Sequence, residues 1–441
     1  METEKDVPVA VIGAGPVGLA AAAHLHTRGI PFKVFEAGPT VASNILSWKH
    51  IRVFSPWRYN IDKAARQLLN AANWISPDDE ALPTGEELIN LYFKPLYELP
   101  LIKENTFLSS KVISIGRKNI DKMKTFRRED RPFTIQFLRN GEIEQLEARA
   151  VIDATGTWNS PNPIGSGGVY AVGEVENRDR IFYGIPDIGG AYAERYKNKS
   201  VLVVGSGHSS INAILELDKL KEKYPDTDIN WVLRKENISD VYGGQEDDAL
   251  EARGALGIKI EQLVNDERVN VFTPFQIQQI KTASGRLTVI GFQNDKKFAL
   301  PPVDEIISNT GSRPDFSFIR EIRLSIDPSL ESVSTIAELI DPNIHSCGTV
   351  RPHGEKELRH PEKDFYIAGS KSYGRAPTFL MATGYEQVRS IVAAIDGDMQ
   401  AAINVELDLP ETGVCSVDLG NAACCGVSEK PVTKKVKASC C

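Results

Sequence analysis

A glycine-rich turn near the start of the sequence has residues that could bind a dinucleotide. Gly13, Gly15 and Gly18 have the spacing GxGxxG and stand between an apolar and an alanine-rich stretch of residues 7–36. The first glycine permits a tight turn, the second lets a pyrophosphate approach the backbone, and the third lets helix and strand pack closely. Helix N–H groups would bind the phosphates. We therefore predict a dinucleotide site rather than a turn without a ligand. The predicted site also includes the residues between the glycines, which are Ala14, Pro16 and Val17.

Glu36 indicates which dinucleotide this first turn can bind. It ends the apolar stretch after the helix, close to the roughly 20 residues usual between the glycines and the ribose-binding acid. A carboxylate there accepts hydrogen bonds from both ribose hydroxyls and would repel a 2′-phosphate. An unphosphorylated adenosine is therefore predicted, as in FAD or NAD.

A second glycine turn lies within residues 200–235, between two further apolar stretches. Gly205 and Gly207 keep their positions, and Ser210 replaces the third glycine. Arg234 and Lys235 stand where the acid would be, and a guanidinium there favours the 2′-phosphate of NADPH. Two basic residues can also be a solvated strand end, and the turn can occur without a nucleotide. The predicted phosphate contacts also include Ser206, His208 and Ser209.

Five of the six cysteines lie in the last 31 residues, a stretch poor in large apolar side chains. Two adjacent pairs are good ligands for a soft metalloid such as trivalent arsenic, which prefers two or three thiolates. Nearby lysines would lower the thiol pKa modestly. An incidental tail and a dithiol shuttle to the flavin or to another protein are the alternatives. The candidate metalloid ligands are Cys415, Cys424, Cys425, Cys440 and Cys441.

One cysteine, Cys347, precedes the tail. His345 and His353 lie near it in the sequence and His360 lies further on, so these residues could bind a soft ion or place a thiol in the active site. A buried cysteine beside unrelated loop histidines is the more common arrangement.

These candidate residues require two nucleotide-binding units to position them. Residues 7–36 and 200–235 each read as strand, glycine turn, helix and strand. Residues 111–153 favour hairpins, and residues 301–400 favour apolar strands followed by a helix. The predicted fold is α/β with two Rossmann-like domains, the first split in sequence by the second. The predicted segments are 1–165 and 301–404 for an FAD domain, 166–300 for an NADPH domain, and 405–441 for a Cys-rich tail.

The composition narrows the possible partners. Of 441 residues, 41% are hydrophobic and 25% charged, which is typical of a globular protein of two or three domains. The formal net charge of −8 argues against a nucleic-acid partner. No targeting segment or membrane span is evident, and the scarcity of cysteine before the tail fits a reducing compartment, so we expect a cytoplasmic protein. The sequence leaves the oligomeric state open, a homodimer included.

The two turns, together with "VIDATGTWNSPNP" at 151–163 and "IISNTGSRPD" at 306–315, resemble the flavin-containing monooxygenases and Baeyer-Villiger enzymes among the two-dinucleotide-binding flavoproteins. The resemblance spans residues 7–400. It implies FAD and NADPH as cofactors, and it implies that Ala154, Thr155 and Gly156 lie near the FAD pyrophosphate and the hinge. We assign Gly369 and Thr383 to the same site. "WKHIRVFSPWRYN" at 48–60 and "KSYGRAPTFLMATGYEQVRS" at 371–390 resemble a bacterial subgroup associated with arsenic resistance.

Two departures from this family pattern and two differences from disulfide reductases bear on the chemistry. Ile188 replaces the histidine of the FxGxxxH fingerprint that Phe182 and Gly184 begin. Where the family has an asparagine near the reactive flavin carbon, this sequence offers Ser55 or Asn60. The Gly-Asp pair of disulfide reductases is Gly369 and Ser370 here, and no two cysteines precede residue 415 to form a redox-active pair.

These observations predict an FAD- and NADPH-dependent monooxygenase in which NADPH reduces FAD and a soft nucleophile, such as a trivalent arsenical, is oxygenated by O₂. A flavin-dependent reductase of a thiol or metalloid, and a non-catalytic flavoprotein that binds or senses a metalloid, are the alternatives. No acid-base pair is evident. The candidates for neighbours of the flavin and the small-molecule substrate are Trp48, Arg52, Ser55, Tyr373 and Arg375.

Overall fold

The computed structural model describes residues 7–243, 245–247, 251–344 and 350–407. Cys347, His345 and all five tail cysteines lie outside these residues, so the predictions made for them are not part of the structure described below.

The strands of the described residues are β1 (Val9–Ile12), β2 (Phe32–Phe35), β3 (Thr106–Phe107), β4 (Ser110–Arg117), β5 (Phe133–Arg139), β6 (Glu142–Ala148), β7 (Ala150–Asp153), β8 (Ile181–Tyr183), β9 (Ser200–Val204), β10 (Asp228–Val232), β11 (Asn270–Phe272), β12 (Gln276–Ala283), β13 (Arg286–Gln293), β14 (Lys296–Ala299), β15 (Glu305–Ser308) and β16 (Phe365–Ile367).

The α-helices are α1 (Pro16–Thr27), α2 (Ser43–Leu46), α3 (Trp57–Asn60), α4 (Lys63–Ala71), α5 (Gly85–Leu88), α6 (Lys94–Glu98), α7 (Pro100–Lys103), α8 (Ala193–Tyr196), α9 (His208–Lys223), α10 (Glu251–Asn265), α11 (Ala337–Ile340), α12 (Met381–Ile395) and α13 (Met399–Ile403). A π-helix joins α5 to α6 at Ile89–Phe93. The 3₁₀ helices are Arg178–Arg180, Ile238–Val241, Gln245–Asp247, Ser317–Ile319, Ser334–Ile336, Glu355–Leu358 and Gly369–Tyr373.

The first domain is built on a parallel sheet with the strand order β16-β7-β1-β2-β3. β1 and β7 are buried along their whole length, as expected of parallel strands covered on both faces. The alanine-rich sequence of α1 lets this helix approach β1 and α12 closely, and its residues from Val17 to Ala23 are buried. This arrangement confirms the predicted first β-α-β unit and its return at the end of the chain.

The second domain is built on a parallel sheet with the order β11-β10-β9-β15-β8. Helices α9 and α10 enclose one apolar core with it, and the strands β12 and β13 enclose another. β15 corrects the predicted domain boundary at residues 300/301, because Glu305 and Ile307 pair with Val201 and Val203 of β9. The second domain is inserted in the first, as predicted, but it extends through β15.

Two antiparallel sheets lie beside the parallel ones. β4, β5 and β6 form a meander that confirms the hairpins predicted for residues 111–153, apart from β7, which joins the first sheet. β12, β13 and β14 form the second meander. The strands and closing helix predicted for residues 301–400 are β15, β16 and α12 in the described part of that region.

Two linkers connect the domains and run side by side. Pro161 and Ser312 form an antiparallel bridge. The Asn162 backbone N–H donates to the Gly311 carbonyl at 2.9 Å, and the Arg313 N–H donates to the Ser160 carbonyl at 3.0 Å. The two linkers are therefore hydrogen-bonded to each other along their backbones. Within the described ranges, none of the helices combines the length and the apolar character that crossing a bilayer requires.

Candidate functional site

The first glycine turn has the geometry that its spacing predicts. Gly13 has φ of +98°, and a Cβ there would lie 2.8 Å from the Ala154 carbonyl oxygen. At Gly18 a Cβ would lie 1.8 Å from the Gly13 carbonyl oxygen, so only glycine lets α1 pack this closely on β1. The first and third glycines are therefore required by the protein itself.

Gly15 differs from the other two because nothing in the protein requires it. Its φ of −78° and ψ of −171° suit any residue. A Cβ at this position would meet no protein atom within 4 Å. Within the described part of the chain, no side chain caps the N-terminus of α1 and its first turn has no acid. The open space and the unpaired helix N–H groups fit a dinucleotide pyrophosphate.

Glu36 lies at the end of β2 beside this turn. Its carboxylate accepts hydrogen bonds from the backbone N–H groups of Ala14 and Gly38, each at 2.8 Å. Burial raises the pKa of this carboxyl, and the two N–H groups act in the opposite direction. These bonds hold the carboxylate against the turn.

Gly369, another predicted flavin contact, packs against Val17 at the start of α1, and so does Gly384. A Cβ on Gly369 would lie 3.2 Å from the Val17 side chain, and a Cβ on Gly384 would lie 2.5 Å from it. Gly384 is in the first turn of α12, beside the buried Thr383. A Cβ on Gly156 would lie 3.3 Å from the hydroxyl of Ser370. The structure thus brings together the first glycine turn, the segment 154–156, the turn at Gly369 and the N-terminus of α12.

The second glycine turn repeats these features in the other domain. Gly205 has φ of +132°, and a Cβ there would lie 2.4 Å from the Asn309 carbonyl oxygen. A Cβ on Gly207 would meet nothing within 4 Å, as at Gly15. Ser210 is fully buried, and its hydroxyl donates to the Gly207 carbonyl at 2.6 Å, so serine replaces glycine without opening the turn. His208, Ser209 and Ser210 form the first turn of α9.

Arg234 and Lys235 follow β10, as predicted, but differ in what they contact. Arg234 is exposed at the edge of a surface cavity of about 350 Å³, and its guanidinium donates to the Ser166 carbonyl at 3.3 Å. The Lys235 ammonium donates to the Asp240 carbonyl at 2.7 Å. Arg234 is therefore the more accessible cation of the two.

Aromatic side chains meet where the two domains face each other. The ring of Phe54, from the first domain, lies 5.5 Å from the ring of His208 at the start of α9. Trp48 lies 6.4 Å from Trp158 on the first linker. These contacts place apolar surface where the two domains face each other, beside the second glycine turn. Neither Phe54 nor Trp158 has a sequence pattern that marks it as a site residue, although both lie in the stretches that carry the family resemblance.

The candidate substrate neighbours are not all brought together. Arg52 is exposed, contacts Glu87 at 3.7 Å and donates to the Leu82 carbonyl. Arg375 is also exposed, and its backbone N–H donates to the Leu330 carbonyl. Of the predicted set, Trp48 is the residue with a contact to the linker between the domains.

Ser55 and Asn60 are hydrogen-bonded to each other, and the Asn60 amide group is fully engaged in hydrogen bonds within the protein. The Ser55 hydroxyl donates to the Asn60 side-chain oxygen at 3.0 Å. The Asn60 amide donates to the carbonyls of Ser55 and Pro56. Asn60 is 1% exposed, so its amide holds the backbone that precedes α3.

Tyr373 is buried in the first domain. Its ring packs against His353 and Phe379, and its hydroxyl bonds to the Thr383 side chain. Burial raises the pKa of Tyr373 far above its usual range, so the phenol stays neutral. Tyr373 therefore stabilises the first turn of α12 through its bond to Thr383.

His353 and His360, two of the histidines proposed as soft-ion ligands, are hydrogen-bonded within the protein. The Gln387 amide donates to His353 Nε2 at 2.9 Å, and His353 Nδ1 bonds to the Arg351 carbonyl at 3.2 Å. His360 Nδ1 accepts from the Ser325 N–H, and burial lowers its pKa to about 4. Across the described residues, no group of three or more His, Cys, Asp or Glu side chains could hold a metal ion.

Comparison with known proteins agrees with this architecture. The model of the pyridine nucleotide-disulphide oxidoreductase family matches residues 10–338. A ferredoxin--NADP reductase of Lactobacillus delbrueckii subsp. bulgaricus is 21% identical over 340 residues, which are 77% of this chain and 86% of that protein.

Two solved structures share the fold. Bacillithiol disulfide reductase Bdr (YpdA) from Bacillus cereus superposes with a TM-score of 0.67 at 18% identity, covering 89% of this chain and 99% of that one. DfoA, the cadaverine monooxygenase of Erwinia amylovora, superposes with a TM-score of 0.63 at 14% identity, covering 92% and 99%. The family match and the two dinucleotide turns lead to one conclusion. The chain belongs to the pyridine nucleotide-disulphide oxidoreductase family and is an FAD- and NAD(P)H-dependent oxidoreductase.

Proposed function

We propose that the protein is an NADPH-dependent flavin monooxygenase that oxygenates a soft nucleophile. Bound FAD would supply the redox chemistry, taking a hydride from NADPH and giving two electrons to O₂. One oxygen atom goes to the substrate and the other to water. The observation that carries this proposal is the aromatic surface where the two domains face each other, in a sequence that has no two cysteines before residue 415 to form a redox-active pair.

The residues around the two turns would bind the cofactors and exclude water. The N-termini of α1 and α9 would bind the two pyrophosphates, since no side chain of the described residues caps either helix. Phe54 and Trp158 would shield the space between the turns from solvent. The DfoA structure supports the proposal to the extent that a monooxygenase uses this fold.

A disulfide or metalloid reductase is the second candidate. The family name and the bacillithiol disulfide reductase neighbour favour it, and so do the vicinal cysteines of the tail. Such a pair, oxidised to a disulfide, could accept two electrons from the reduced flavin and pass them as a dithiol to a disulfide or metalloid substrate. In a reductase, the electrons would reach a disulfide or a metalloid rather than O₂.

The two candidates differ in their electron acceptor. For the monooxygenase, we expect NADPH consumption that requires O₂ and is stimulated by substrate, with label from ¹⁸O₂ appearing in the product. Trivalent arsenicals, thioethers and amines are the substrates to screen. Anaerobic NADPH consumption with a disulfide or a metalloid, and no labelled product, would contradict the oxygenase and favour the reductase.

A chain ending at Leu409 tests the tail in the same assays. Loss of the vicinal pairs should leave FAD and NADPH binding intact but raise the apparent KM for a trivalent arsenical, because capture by two thiolates is lost. Unchanged arsenic stoichiometry and kinetics would show that the tail has no part in capture. The shortened chain should still oxygenate thioethers or amines at the rate of the full chain.

Replacing Arg234 with alanine should remove most of the preference for NADPH over NADH. A guanidinium bond to the 2′-phosphate contributes roughly 1.5–3 kcal/mol, or about 10- to 150-fold in affinity. The measurement is kcat/KM for flavin reduction with each nucleotide. Lys235→Ala is the matched control, since the Lys235 ammonium already bonds to Asp240, and it should keep the preference. Discrimination that survives Arg234→Ala would contradict the assignment.

A further inference from the structure

Lys371 is a buried cation that none of the roles above uses. It lies in the turn after β16, and its ammonium donates to Asp153 Oδ2 at 2.6 Å and to the Thr155 hydroxyl at 3.3 Å. Both charged side chains are 0% exposed. A buried lysine is rare unless it is paired, so this ion pair requires an explanation.

Thr155 and Asp153 are themselves bonded to each other. Asp153 Oδ1 accepts the Thr155 hydroxyl at 2.7 Å and the Thr155 backbone N–H at 3.1 Å. The Ala368 backbone N–H donates to the Asp153 carbonyl at 2.9 Å. The ion pair therefore ties the segment that begins the first linker to the turn that begins at Gly369.

The chain that follows the second linker contacts the ammonium of Lys371. Lys371 Nζ lies 4.5 Å from the centre of the Phe318 ring and 5.3 Å from that of Phe316, distances at which a cation is attracted to an aromatic face. Both phenylalanines follow Arg313, the last residue of the linker pairing. One buried ammonium thus contacts the chain at the first-domain end of both linkers.

Stability alone is a weak reason for this arrangement. A buried ion pair stabilises a fold no better than apolar residues of similar volume in many cases, because desolvation offsets the attraction between the charges. Unlike apolar packing, the bonds of this ion pair are directional. They therefore fix the Thr155 and Gly369 segments relative to each other. Both segments lie at the proposed flavin site.

The other side of the turn is held independently. The Gly369 backbone N–H donates to the Gln387 side-chain oxygen at 2.7 Å, and the Gln387 amide donates to the Ser372 hydroxyl at 2.9 Å. Removal of the Lys371 bonds would therefore leave the turn attached to α12 while releasing the linker from it.

We propose that Lys371 is a positioning residue for hydride transfer, holding the first linker against the flavin-site turn so that the two nucleotide domains keep a productive mutual orientation. The role rests on reduction of FAD by NAD(P)H, which both candidate functions share, and not on the final electron acceptor.

Lys371→Met tests this role in the full-length, FAD-loaded protein. The rate constant for flavin reduction by saturating NADPH, measured anaerobically, should fall about 10- to 100-fold, since small displacements of reacting groups have effects of this size. The Kd for NADPH should stay within about 2-fold, because the second glycine turn is untouched. Dithionite should still reduce the bound flavin fully. Lys297→Met, which removes an exposed lysine of β14, is the matched control and should behave as the unchanged protein.

A second variant separates positioning from stability. Lys371→Met alone leaves the buried Asp153 carboxylate unpaired and should lower the melting temperature. In Asp153→Asn/Lys371→Met both charges are removed, so the melting temperature should recover while the reduction rate stays low. This double variant also serves if the single one does not fold. An unchanged rate in either FAD-loaded variant, or a rate that recovers together with the melting temperature, would overturn the proposal.

Discussion

Replacing Gly15 with valine is expected to give a folded protein that no longer retains FAD. The backbone at Gly15 suits any residue, and its Cβ position has no protein atom within 4 Å. The valine methyl groups would occupy the space through which the pyrophosphate approaches the start of α1. We expect FAD affinity to fall by at least about 100-fold, or ~2.7 kcal/mol. Flavin absorbance after gel filtration and equilibrium binding to the apoprotein measure this loss.

The comparison for this variant must be the apo form of the unchanged protein, because a bound ligand itself raises the melting temperature. Gly18→Ala is an instructive contrast. Its Cβ would overlap the Gly13 carbonyl oxygen at 1.8 Å, so this smaller substitution should disrupt the domain and not only the site. A Gly15→Val protein fully loaded with FAD would mean that the flavin does not bind at the first turn.

Replacing Gly207 with valine should produce a yellow protein that NADPH cannot reduce. Gly207 has φ of −91° and ψ of 173°, and its Cβ position is as open as that of Gly15. The change lies in the second domain, so FAD should be retained in full. We expect the Kd for NADPH to rise by at least about 100-fold. Anaerobic stopped-flow reduction with NADPH measures the loss.

Dithionite provides the internal control for this variant, since it reduces the flavin without using the second turn. The two valine variants are also controls for each other, because each should lose one cofactor and keep the other. Reduction of Gly207→Val by NADPH at the unchanged rate would contradict the assignment of the second turn.

The two β-α-β units were predictable because each depends on short-range features. Apolar runs, glycine spacing and helix periodicity all lie within about one β-α-β unit of sequence. β15 was assigned to the wrong domain because its four residues, EIIS, carry no glycine turn of their own. Its place depends on pairing with β9, which is far away in the sequence, and such a pairing is not encoded in a local pattern.

Individual site residues were harder to predict than the turns. A lysine in a polar stretch such as "GSKSYG" normally indicates an exposed side chain, whereas Lys371 is buried because Asp153 compensates its charge. Arg52 is the opposite case, since it was expected near the flavin but pairs with Glu87 at the surface. In both cases the partner is distant in sequence and decides the position of the side chain.

The split first domain also has a consequence for biosynthesis. Its sheet contains β1 and β7 from early in the chain but is completed by β16, and α1 packs on α12. The second sheet takes all its strands from one continuous stretch of chain, between Ile181 and Ser308. Domains fold as units while translation adds about 5–20 residues per second. We therefore expect the inserted domain to fold on the ribosome first. Until β16 emerges, β7 is an open sheet edge that can pair with strands of other chains.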